Sequence, residues 1–349
     1  NAFRGGKPGE RLNGKFRSML SLSAAVVEKP WGGSRLWPFF GKPEQLSHDS
    51  IGEVWLVSTV GEDVRHSRIL SGNEAGRTLR DLISSDPGLT LGVDFVEIGK
   101  HGDFPLLFKW IDARHDLSVQ VHPDDALVQE MGIGETGKEE TWLIIDSEPG
   151  ATVRAGFTEG WSLARLLEAV SAGADIEDAL HRFPVGPGDL VHVPPGTVHS
   201  IGSGILLAEI QQPSDITFRI HDGETLGADG QPRELHLNEA ARIESAGMPL
   251  VLRSDGFVEN VWEKRISATS YEITDLRGSW EGPVPLPSDR CSILTCLAGR
   301  AEISCEDGPS AEILQPGEVR LVLPGEGEIT LETLEKGWFA IFAPVLGPS

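Results

Sequence analysis

The sequence predicts a mainly β protein built from two domains. Residues 117–122 and 191–199 alternate apolar and polar side chains with the period of two that β-strands require. The chain has 41 Gly and 23 Pro among its 349 residues, and this content favours many turns over long helices. A chain of this length more often forms two packed cores than one.

An internal repeat supports the prediction of two similar domains. Residues 187–196 and 316–325 each contain a Pro-Gly turn, an acidic residue, an apolar strand and a second Pro-Gly turn. Gly supplies backbone freedom and Pro a fixed φ at such turns. Because turn–strand–turn is a common pattern, the match is weak alone, but two copies of one barrel would produce it. The second copy has Glu328 where the first has His199, and no histidine follows His236.

Helices are predicted in only a few places. Residues 51–58 and 104–112 are interpreted as buried strands, and residues 76–84 as a short helix. In residues 159–183 apolar side chains recur at helical spacing with a break at Gly173, which predicts a pair of short helices inserted between strands. A short helical stretch is also predicted after residue 237.

Charge and cysteine content exclude several classes of function. A formal net charge of −23 repels nucleic acid and anionic membrane surfaces, so neither is expected as a partner. An anionic substrate would need local positive groups, since the overall field opposes it. The three cysteines are odd in number and lack paired spacing, which fits a reducing cytoplasm. No apolar run of about 18 residues or signal segment is found, so the protein is expected to be cytoplasmic.

The candidate site is a group of polar residues on the predicted strands. Gln120 and His122 share one face of residues 117–122, Glu140 follows after a loop, and His199 ends the second alternating stretch. Two imidazoles, a carboxylate and an amide are donor types that a divalent metal accepts. By spacing alone, a strand histidine hydrogen-bonded to a core carboxylate is the commoner arrangement. Both interpretations stay open at this point.

Several motifs in the same order resemble type I mannose-6-phosphate isomerase (phosphomannose isomerase) of the short bacterial kind. They are residues 31–33, 51–55, 117–125, 137–142, 194–202, 209–215, Arg219 and residues 233–236. The resemblance extends to about Leu237, and the last hundred residues share only a general β character. It implies a cupin fold, a β-barrel of jelly-roll type, with two such barrels and a small helical insertion.

The resemblance also implies a domain plan. Residues 21–260 would form the catalytic cupin domain, with the helical insertion at about 159–183. Residues 261–349 would form a cupin-like domain without metal. Residues 1–20 are basic and rich in glycine, and we expect a flexible arm or an expression remnant there.

The activity implied by the resemblance is interconversion of mannose 6-phosphate and fructose 6-phosphate through an enediol. The cofactor would be Zn2+, one per chain, because a Lewis acid stabilises negative charge on the enediol oxygen. The implied ligands are Gln120, His122, Glu140 and His199. Gln120 is either a ligand or a strand glutamine hydrogen-bonded inside the barrel. The partner would be a small sugar phosphate, and the protein a monomer or a weak homo-oligomer.

Further roles follow from the same resemblance. The implied catalytic residues are Arg219, Lys138, Glu209 and Asp215, and the implied substrate-binding residues are Ser118, Lys138 and Arg219. Lys138 is otherwise a solvated surface lysine, and Arg219 a barrel-rim ion pair. Longer members of the family have a histidine where this chain has Gly137, so a base at that position is excluded. Glu139 adds a carboxylate able to compete for the metal, and the base for proton transfer is not assigned.

Other functions remain in competition with the isomerase. A non-catalytic metal-containing sugar-binding or sensing cupin is disfavoured because the charged residues are retained beside the ligands. A metal cupin of another reaction, such as a dioxygenase or epimerase, is disfavoured because oxygenase cupins usually gather more histidines. Residues 132–138 have the spacing of a phosphate-binding loop, but Glu139 follows instead of Ser or Thr, so nucleotide binding is not expected.

Overall fold

A computed structural model of the protein describes residues 19–41, 50–227, 229–305, 311–325 and 327–346. Within these ranges the strands are, in chain order, β1 (Met19–Ser21), β2 (Ala25–Gly33), β3 (Ile51–Val57), β4 (Leu107–Ala113), β5 (Val119–Val121), β6 (Glu140–Ser147), β7 (Thr152–Phe157), β8 (Leu180–Pro184), β9 (Leu190–Val193), β10 (His199–Ile201), β11 (Ile205–Gln211), β12 (Phe218–His221), β13 (Leu250–Leu252), β14 (Trp262–Ser267), β15 (Tyr271–Gly278), β16 (Glu281–Pro283), β17 (Ser292–Cys305), β18 (Glu312–Leu314), β19 (Val319–Val322) and β20 (Ile329–Pro344). The α-helices are α1 (Trp37–Phe40), α2 (Leu79–Ser85), α3 (Pro87–Leu91), α4 (Val96–Gly99), α5 (Asp125–Met131), α6 (Leu163–Ser171) and α7 (Leu237–Ala240), with single 3-10 turns at Asp63–Arg65, Val93–Phe95 and Ser254–Gly256.

Two antiparallel sheets form the N-terminal domain. A seven-stranded sheet has the order β13-β9-β6-β11-β4-β3-β2, and a five-stranded sheet has the order β12-β5-β10-β7-β8. Apolar side chains from both sheets, including Trp142 and Val191 from the first and Val153 and Ile201 from the second, form one buried core. The fold is therefore mainly β, as predicted, and the polar residues of the candidate site lie beside this core.

The C-terminal domain is an eight-stranded antiparallel sheet. Its main order is β1-β19-β17-β20-β15-β14, with β16 and β18 paired to β20 and β17. The outer face of the seven-stranded sheet packs against this sheet, and both contribute to the same buried cluster. The rings of Phe108 and Phe342 meet there with their centroids 4.9 Å apart. The apolar contact between the two domains is therefore a shared core.

The first described strand belongs to the C-terminal sheet. Met19 and Leu20 pair with Val322 and Leu321, and Leu20 is buried. The prediction of a flexible arm over residues 1–20 is therefore wrong for these two residues, because their apolar side chains fill the edge of the sheet. The rest of that prediction, residues 1–18, lies outside the described residues.

The predicted repeat has a structural counterpart. Strands β9 and β19 are both four residues long, and each follows a Pro-Gly turn. Gly188 and Gly317 have φ values of 91° and 87°, a region that side chains with a Cβ rarely adopt. The two segments therefore share a backbone conformation as well as a sequence pattern.

The predicted helical insertion contains one helix. Helix α6 begins after Ser162, whose side chain accepts a hydrogen bond from the Arg165 N–H, and it ends before Gly173. The predicted second helix is wrong, because strand β8 begins at Leu180 and pairs with β7. Ala179 and Leu180 still pack into the core beneath α6, so their apolar spacing reflects burial rather than a helix.

Other predicted elements agree with the structure. Helices α2 and α7 lie where short helices are expected, and β3 and β4 are fully buried strands. None of the helices in the described part of the chain is long and apolar enough to cross a membrane.

Candidate active site

Three buried side chains converge between the two sheets of the N-terminal domain. His122 directly follows β5, Glu140 begins β6 and His199 begins β10. Their ligand atoms all lie within 4.8 Å of one another. Glu140 lies between the imidazoles, with its Oε1 3.2 Å from Nε2 of His199 and its Oε2 3.6 Å from Nε2 of His122.

Backbone carbonyls orient both imidazoles. Nδ1 of His122 donates to the Ile216 carbonyl at 3.0 Å, and Nδ1 of His199 donates to the Thr197 carbonyl at 2.8 Å. A neutral imidazole that donates from Nδ1 keeps an unprotonated Nε2, and here both Nε2 atoms lie on the Glu140 side. Burial lowers the pKa of both histidines below the usual value, and Lys138 lowers that of His122 further.

Glu140 is held in its ionised form. Burial alone raises the pKa of this carboxyl, but the Lys138 ammonium and the two histidines outweigh burial and hold the pKa well below its usual range. Two neutral imidazoles and one carboxylate form a donor set typical of a catalytic zinc site. The residues present therefore fit a divalent metal.

Gln120 lies on β5, between β12 and β10 of the five-stranded sheet, beside this group. It is in register with His199 on one side and with Arg219 on the other, so all three side chains point to the same face of the sheet. Its Nε2 is 3.2 Å from Nε2 of His199, and its Oε1 accepts a hydrogen bond from the Ser118 hydroxyl at 3.1 Å. Rotation of the amide by half a turn would present the oxygen to the imidazoles instead.

Lys138 is a buried member of the site, so it is not a solvated surface lysine. Its Nζ lies 2.7 Å from Oε2 of Glu140, 3.2 Å from Nε2 of His122 and 3.5 Å from Oε1 of Glu209. Only 5% of Lys138 is exposed. The structure therefore brings together two of the predicted catalytic residues, Lys138 and Glu209, beside the candidate metal ligands.

A second buried lysine, not predicted from the sequence, extends this series of charges. Nζ of Lys109 lies 3.2 Å from Oε1 of Glu209 and 3.8 Å from Oε2 of Glu53. Nζ of Lys29 lies 3.1 Å from Oε1 of Glu53. Lysines and glutamates thus alternate from Lys29 to Glu140. The available signal was a charged residue inside each of two mostly apolar, buried strands, Glu53 in β3 and Lys109 in β4.

The alternation of charge sets the protonation of these groups. Burial would lower the pKa of Lys109, but Glu209 and Glu53 outweigh it and raise that pKa. Burial raises the pKa of Glu53, yet Lys109 and Lys29 prevail and lower it to about 2. Glu209 differs, because burial dominates over its lysine neighbours and raises its pKa. Among the glutamates of this series, Glu209 is therefore the one that most readily takes up a proton.

These groups open onto a polar cavity of about 350 Å³. Its lining includes Ser118, Gln120, Lys138, Glu140, Glu209, Asp215 and Arg219, together with Lys29, Glu53, Lys109, Arg233 and His236. Asp215 is half-exposed and pairs with Nη1 of Arg65 at 3.4 Å, so it lies at the rim. Each predicted catalytic and substrate-binding residue therefore lines this one cavity.

Arg219 is fixed on the cavity wall by neighbouring residues. Its Nη1 donates to the Glu234 carbonyl at 2.8 Å, and its backbone N–H donates to Nδ1 of His236 at 3.1 Å. Arg233 donates from Nε to Oδ2 of Asp222 at 2.6 Å, whereas Nε of Arg219 is 4.0 Å from the same oxygen. Arg233 and His236 stand in a motif noted in the sequence, but they were not predicted as site residues.

Glu139, a carboxylate able to compete for the metal by its place in the sequence, is turned away from the candidate ligands. Its carboxylate accepts hydrogen bonds from the backbone N–H groups of Thr269 and Ser270, at 3.1 and 3.0 Å. It therefore points towards the C-terminal sheet, away from its neighbours Lys138 and Glu140.

The facing antiparallel sheets and the His–Glu–His group between them define a cupin-fold protein with a candidate metal centre. The model of the phosphomannose isomerase type I catalytic domain matches residues 19–138 of this chain. A mannose-6-phosphate isomerase of Streptococcus mutans is 36% identical over 306 residues, which cover 87% of this chain and 92% of that protein. One of Bacillus subtilis is 38% identical over 228 residues, covering 64% of this chain and 67% of that protein.

Solved structures agree with these relatives. The crystal structure of mannose 6-phosphate isomerase from Bacillus subtilis superposes with a TM-score of 0.75 and 26% identity, covering 93% of this chain and 99% of that one. A variant of phosphomannose isomerase from Salmonella typhimurium has a TM-score of 0.67 at 16% identity, covering 94% and 100%, and shows likeness of fold alone. The chain belongs to the type I mannose-6-phosphate isomerase family. The resemblance found in the sequence is therefore confirmed.

Proposed function

We propose that this protein interconverts mannose 6-phosphate and fructose 6-phosphate through an enediol, with one zinc ion held by His122, Glu140 and His199. The observation that carries the proposal is the buried His–Glu–His group, of which Glu140 lines a cavity rich in lysine and arginine, in a chain of net charge −23. A relative that matches most of this chain is named mannose-6-phosphate isomerase.

The metal would be held by the two Nε2 atoms and the Glu140 carboxylate, with Gln120 as a fourth ligand after rotation of its amide. Held there, zinc would supply Lewis-acid chemistry, which favours negative charge on the sugar oxygens in an enediol. The backbone carbonyls of Ile216 and Thr197 keep both imidazoles oriented for this role.

Lys138 and Glu209 are the groups best placed to move the proton between the two sugar carbons. Nζ of Lys138 and Oε1 of Glu209 are 3.5 Å apart, buried beside the candidate ligands and on the cavity lining. A carboxylate whose pKa is raised by burial is a more effective base near neutral pH than an exposed one. Lys109, 3.2 Å from the same oxygen, keeps Glu209 in place.

The phosphate would bind at the arginine side of the cavity. Lys29, Lys109 and Lys138 are balanced by Glu53, Glu209 and Glu140, whereas Arg219 and Arg233 both lie beside the carboxylate of Asp222. Arginine binds phosphate through paired N–H donors, and the Ser118 hydroxyl lines the same cavity. Excess positive charge there would attract a dianion in an otherwise acidic protein.

A sugar-binding or sensing cupin without turnover is the alternative. Such a protein needs the cavity, but it does not need Lys109, Glu209 and Lys138 buried in contact with one another. Buried charges are costly to desolvate and cluster at catalytic sites. The alternating buried charges therefore favour an enzyme.

The cellular setting follows from the proposed substrate. We place the protein in the cytoplasm, as a monomer or weak homo-oligomer that binds a soluble sugar phosphate and neither nucleic acid nor membrane. The net charge of −23 supports the absence of polyanionic partners.

The test is an assay of the purified protein with mannose 6-phosphate, in which formation of fructose 6-phosphate is measured. Activity should disappear after chelation and return when zinc is added. The His199→Ala protein should stay inactive under both conditions. A zinc-loaded wild-type protein that forms no fructose 6-phosphate would contradict the proposal and favour the sensing alternative.

A further inference from the structure

The segment that carries Lys138 and Glu140 has a second face, directed at the C-terminal sheet. Successive side chains of an extended segment point to opposite sides. Lys138 and Glu140 line the cavity, whereas Glu139 and Thr141 contact Thr269, Ser270 and Tyr271. Any shift of Glu139 or Thr141 must therefore also move the residues of the candidate metal centre.

Glu139 makes the first of two connections. Its carboxylate is buried, and each oxygen accepts one backbone N–H, from Thr269 and from Ser270. These amides belong to the turn between β14 and β15. Because a buried carboxylate without donors is strongly destabilised, Glu139 and this turn hold each other in place.

Thr141 makes the second connection. Its Oγ1 lies 2.9 Å from the hydroxyl of Tyr271 and 2.9 Å from Nδ1 of His192, its partner across the β6–β9 pair. Thr141 and Tyr271 are fully buried, so water does not substitute for either partner. Nε2 of His192 is 3.5 Å from Oε1 of Glu139, which joins the two connections into one network.

We propose that Thr269, Ser270 and Tyr271 form an interdomain latch that positions Lys138 and Glu140 through Glu139 and Thr141. The C-terminal domain thereby acts on the metal centre without contributing a ligand. The inference deepens the proposed function, on which it rests for the role of Glu140 as a ligand. The latch residues are positioning residues, because they touch neither the cavity nor the candidate ligands.

The latch and a general effect on stability are separable with matched variants. Tyr271→Phe removes one hydroxyl and keeps the ring, and Glu139→Gln replaces an accepting oxygen with an amide group that cannot accept. Arg277→Lys is the control, because Nη2 of Arg277 donates to the Gly188 carbonyl at 2.6 Å across the same domain boundary. This control alters an interdomain hydrogen bond that joins β15 to the turn before β9 and leaves the contacts of Glu139 and Thr141 in place.

The first measurement is the rate of zinc release to a chromophoric chelator. Release from Tyr271→Phe and Glu139→Gln should be about tenfold faster than from wild type, the lower end of the effect of residues that orient metal ligands. Arg277→Lys should release zinc at the wild-type rate, even if its melting temperature falls as far as those of Tyr271→Phe and Glu139→Gln. With mannose 6-phosphate, kcat should fall in the two latch variants while KM stays constant.

The second measurement needs neither zinc nor activity. Hydrogen exchange of a peptide spanning residues 137–145 in the metal-free protein should be faster in both latch variants than in Arg277→Lys. Thr141→Ser, which keeps the hydroxyl, should exchange like wild type, and Thr141→Val should exchange like Tyr271→Phe. A purely structural role would not produce this contrast.

Two results would overturn the latch. One is equal zinc release in the latch variants and the Arg277→Lys control, and the other is equal hydrogen exchange in all of them. Failure of the proposed function looks different, because an inactive wild-type protein with the predicted exchange contrast would retain the latch and lose the isomerase.

Discussion

Arg219 and His236 hold each other through two hydrogen bonds that run in opposite directions. The backbone N–H of His236 donates to the Arg219 carbonyl at 2.7 Å, and the backbone N–H of Arg219 donates to Nδ1 of His236 at 3.1 Å. Because Nδ1 accepts, the neutral imidazole carries its proton on Nε2. His236 therefore fixes the backbone of Arg219 and adds a neutral donor to the cavity that both residues line.

Replacing His236 tests this relationship. His236→Ala removes the acceptor for the Arg219 N–H, so Arg219 should move and KM for mannose 6-phosphate should rise by about tenfold, as expected for loss of roughly one hydrogen bond to a charged group. His236→Asn is the matched control, because its Oδ1 can occupy the place of Nδ1. Steady-state kinetics should show a smaller rise in KM for Asn than for Ala. Equal values for the two variants would mean that Arg219 does not depend on this bond.

Lys138 and Arg219 should act on the substrate rather than on the metal. Lys138→Ala and Arg219→Ala should each reduce turnover by about 10²–10³-fold, or about 2–4 kcal/mol, the range for one electrostatic contact to a transition state. Zinc content should remain normal in both, because neither side chain belongs to the His–Glu–His group. Turnover and elemental analysis on the same preparations decide the matter. Near-wild-type rates with full zinc would place the essential cations elsewhere.

Metal binding should depend on His199, the candidate ligand that follows β9. Replacement by Ala removes one of three converging ligands and should abolish most zinc binding. The C-terminal sheet offers no replacement within the described residues, where no second such group is found. Its aligned position, Glu328, is exposed, and Leu321 stands where the first copy has His192. Full zinc occupancy of the His199→Ala protein would show that the metal lies elsewhere.

Stability at acid pH should depend on Glu53. Its pKa of about 2 in the folded protein lies below the unfolded value of 4.5, because Lys109 and Lys29 outweigh burial. A lowered pKa stabilises the fold above pH 4.5, and this contribution is lost as pH falls towards 2. It amounts to about 3 kcal/mol at most.

Urea unfolding between pH 6 and pH 3.5 measures this contribution. The midpoint of wild type should fall more steeply with decreasing pH than that of Glu53→Gln, which has no proton to take up. Since Glu53→Gln also loses its ion pairs, the comparison is between slopes and not between absolute midpoints. Parallel slopes would show that Glu53 is not held ionised by its neighbours.

The His–Glu–His group could be predicted from the sequence, because alternation along a strand fixes which side chains share a face. Gln120 and His122 share a face for this reason, and the family motifs identified Glu140 and His199. The same rule, applied one residue further, would have placed Glu139 on the opposite face. The suggestion that Glu139 could compete for the metal rested on its adjacency to Glu140 in the sequence alone.

Lys109 could not be assigned in the same way, because its role depends on strand pairing over a long distance. It is in register with Glu209, a hundred residues away, and with Trp55. A sequence shows that one charge interrupts an apolar run, but not which opposite charge will lie beside it. The second predicted helix was wrong for a similar reason. Its last residues form β8, and pairing with β7 determines their extended conformation.

Strand β1 links the two domains, because it precedes the N-terminal domain in the sequence but pairs within the C-terminal sheet. The chain contributes Met19–Ser21 to the C-terminal sheet before it enters the N-terminal domain at β2, and it returns to the C-terminal sheet only at β14. After a protease cut between Leu252 and Trp262, the two fragments should therefore remain associated, because β1 of the larger fragment stays paired with β19 of the smaller. Neither half is a detachable module, and heat should melt both as one cooperative unit.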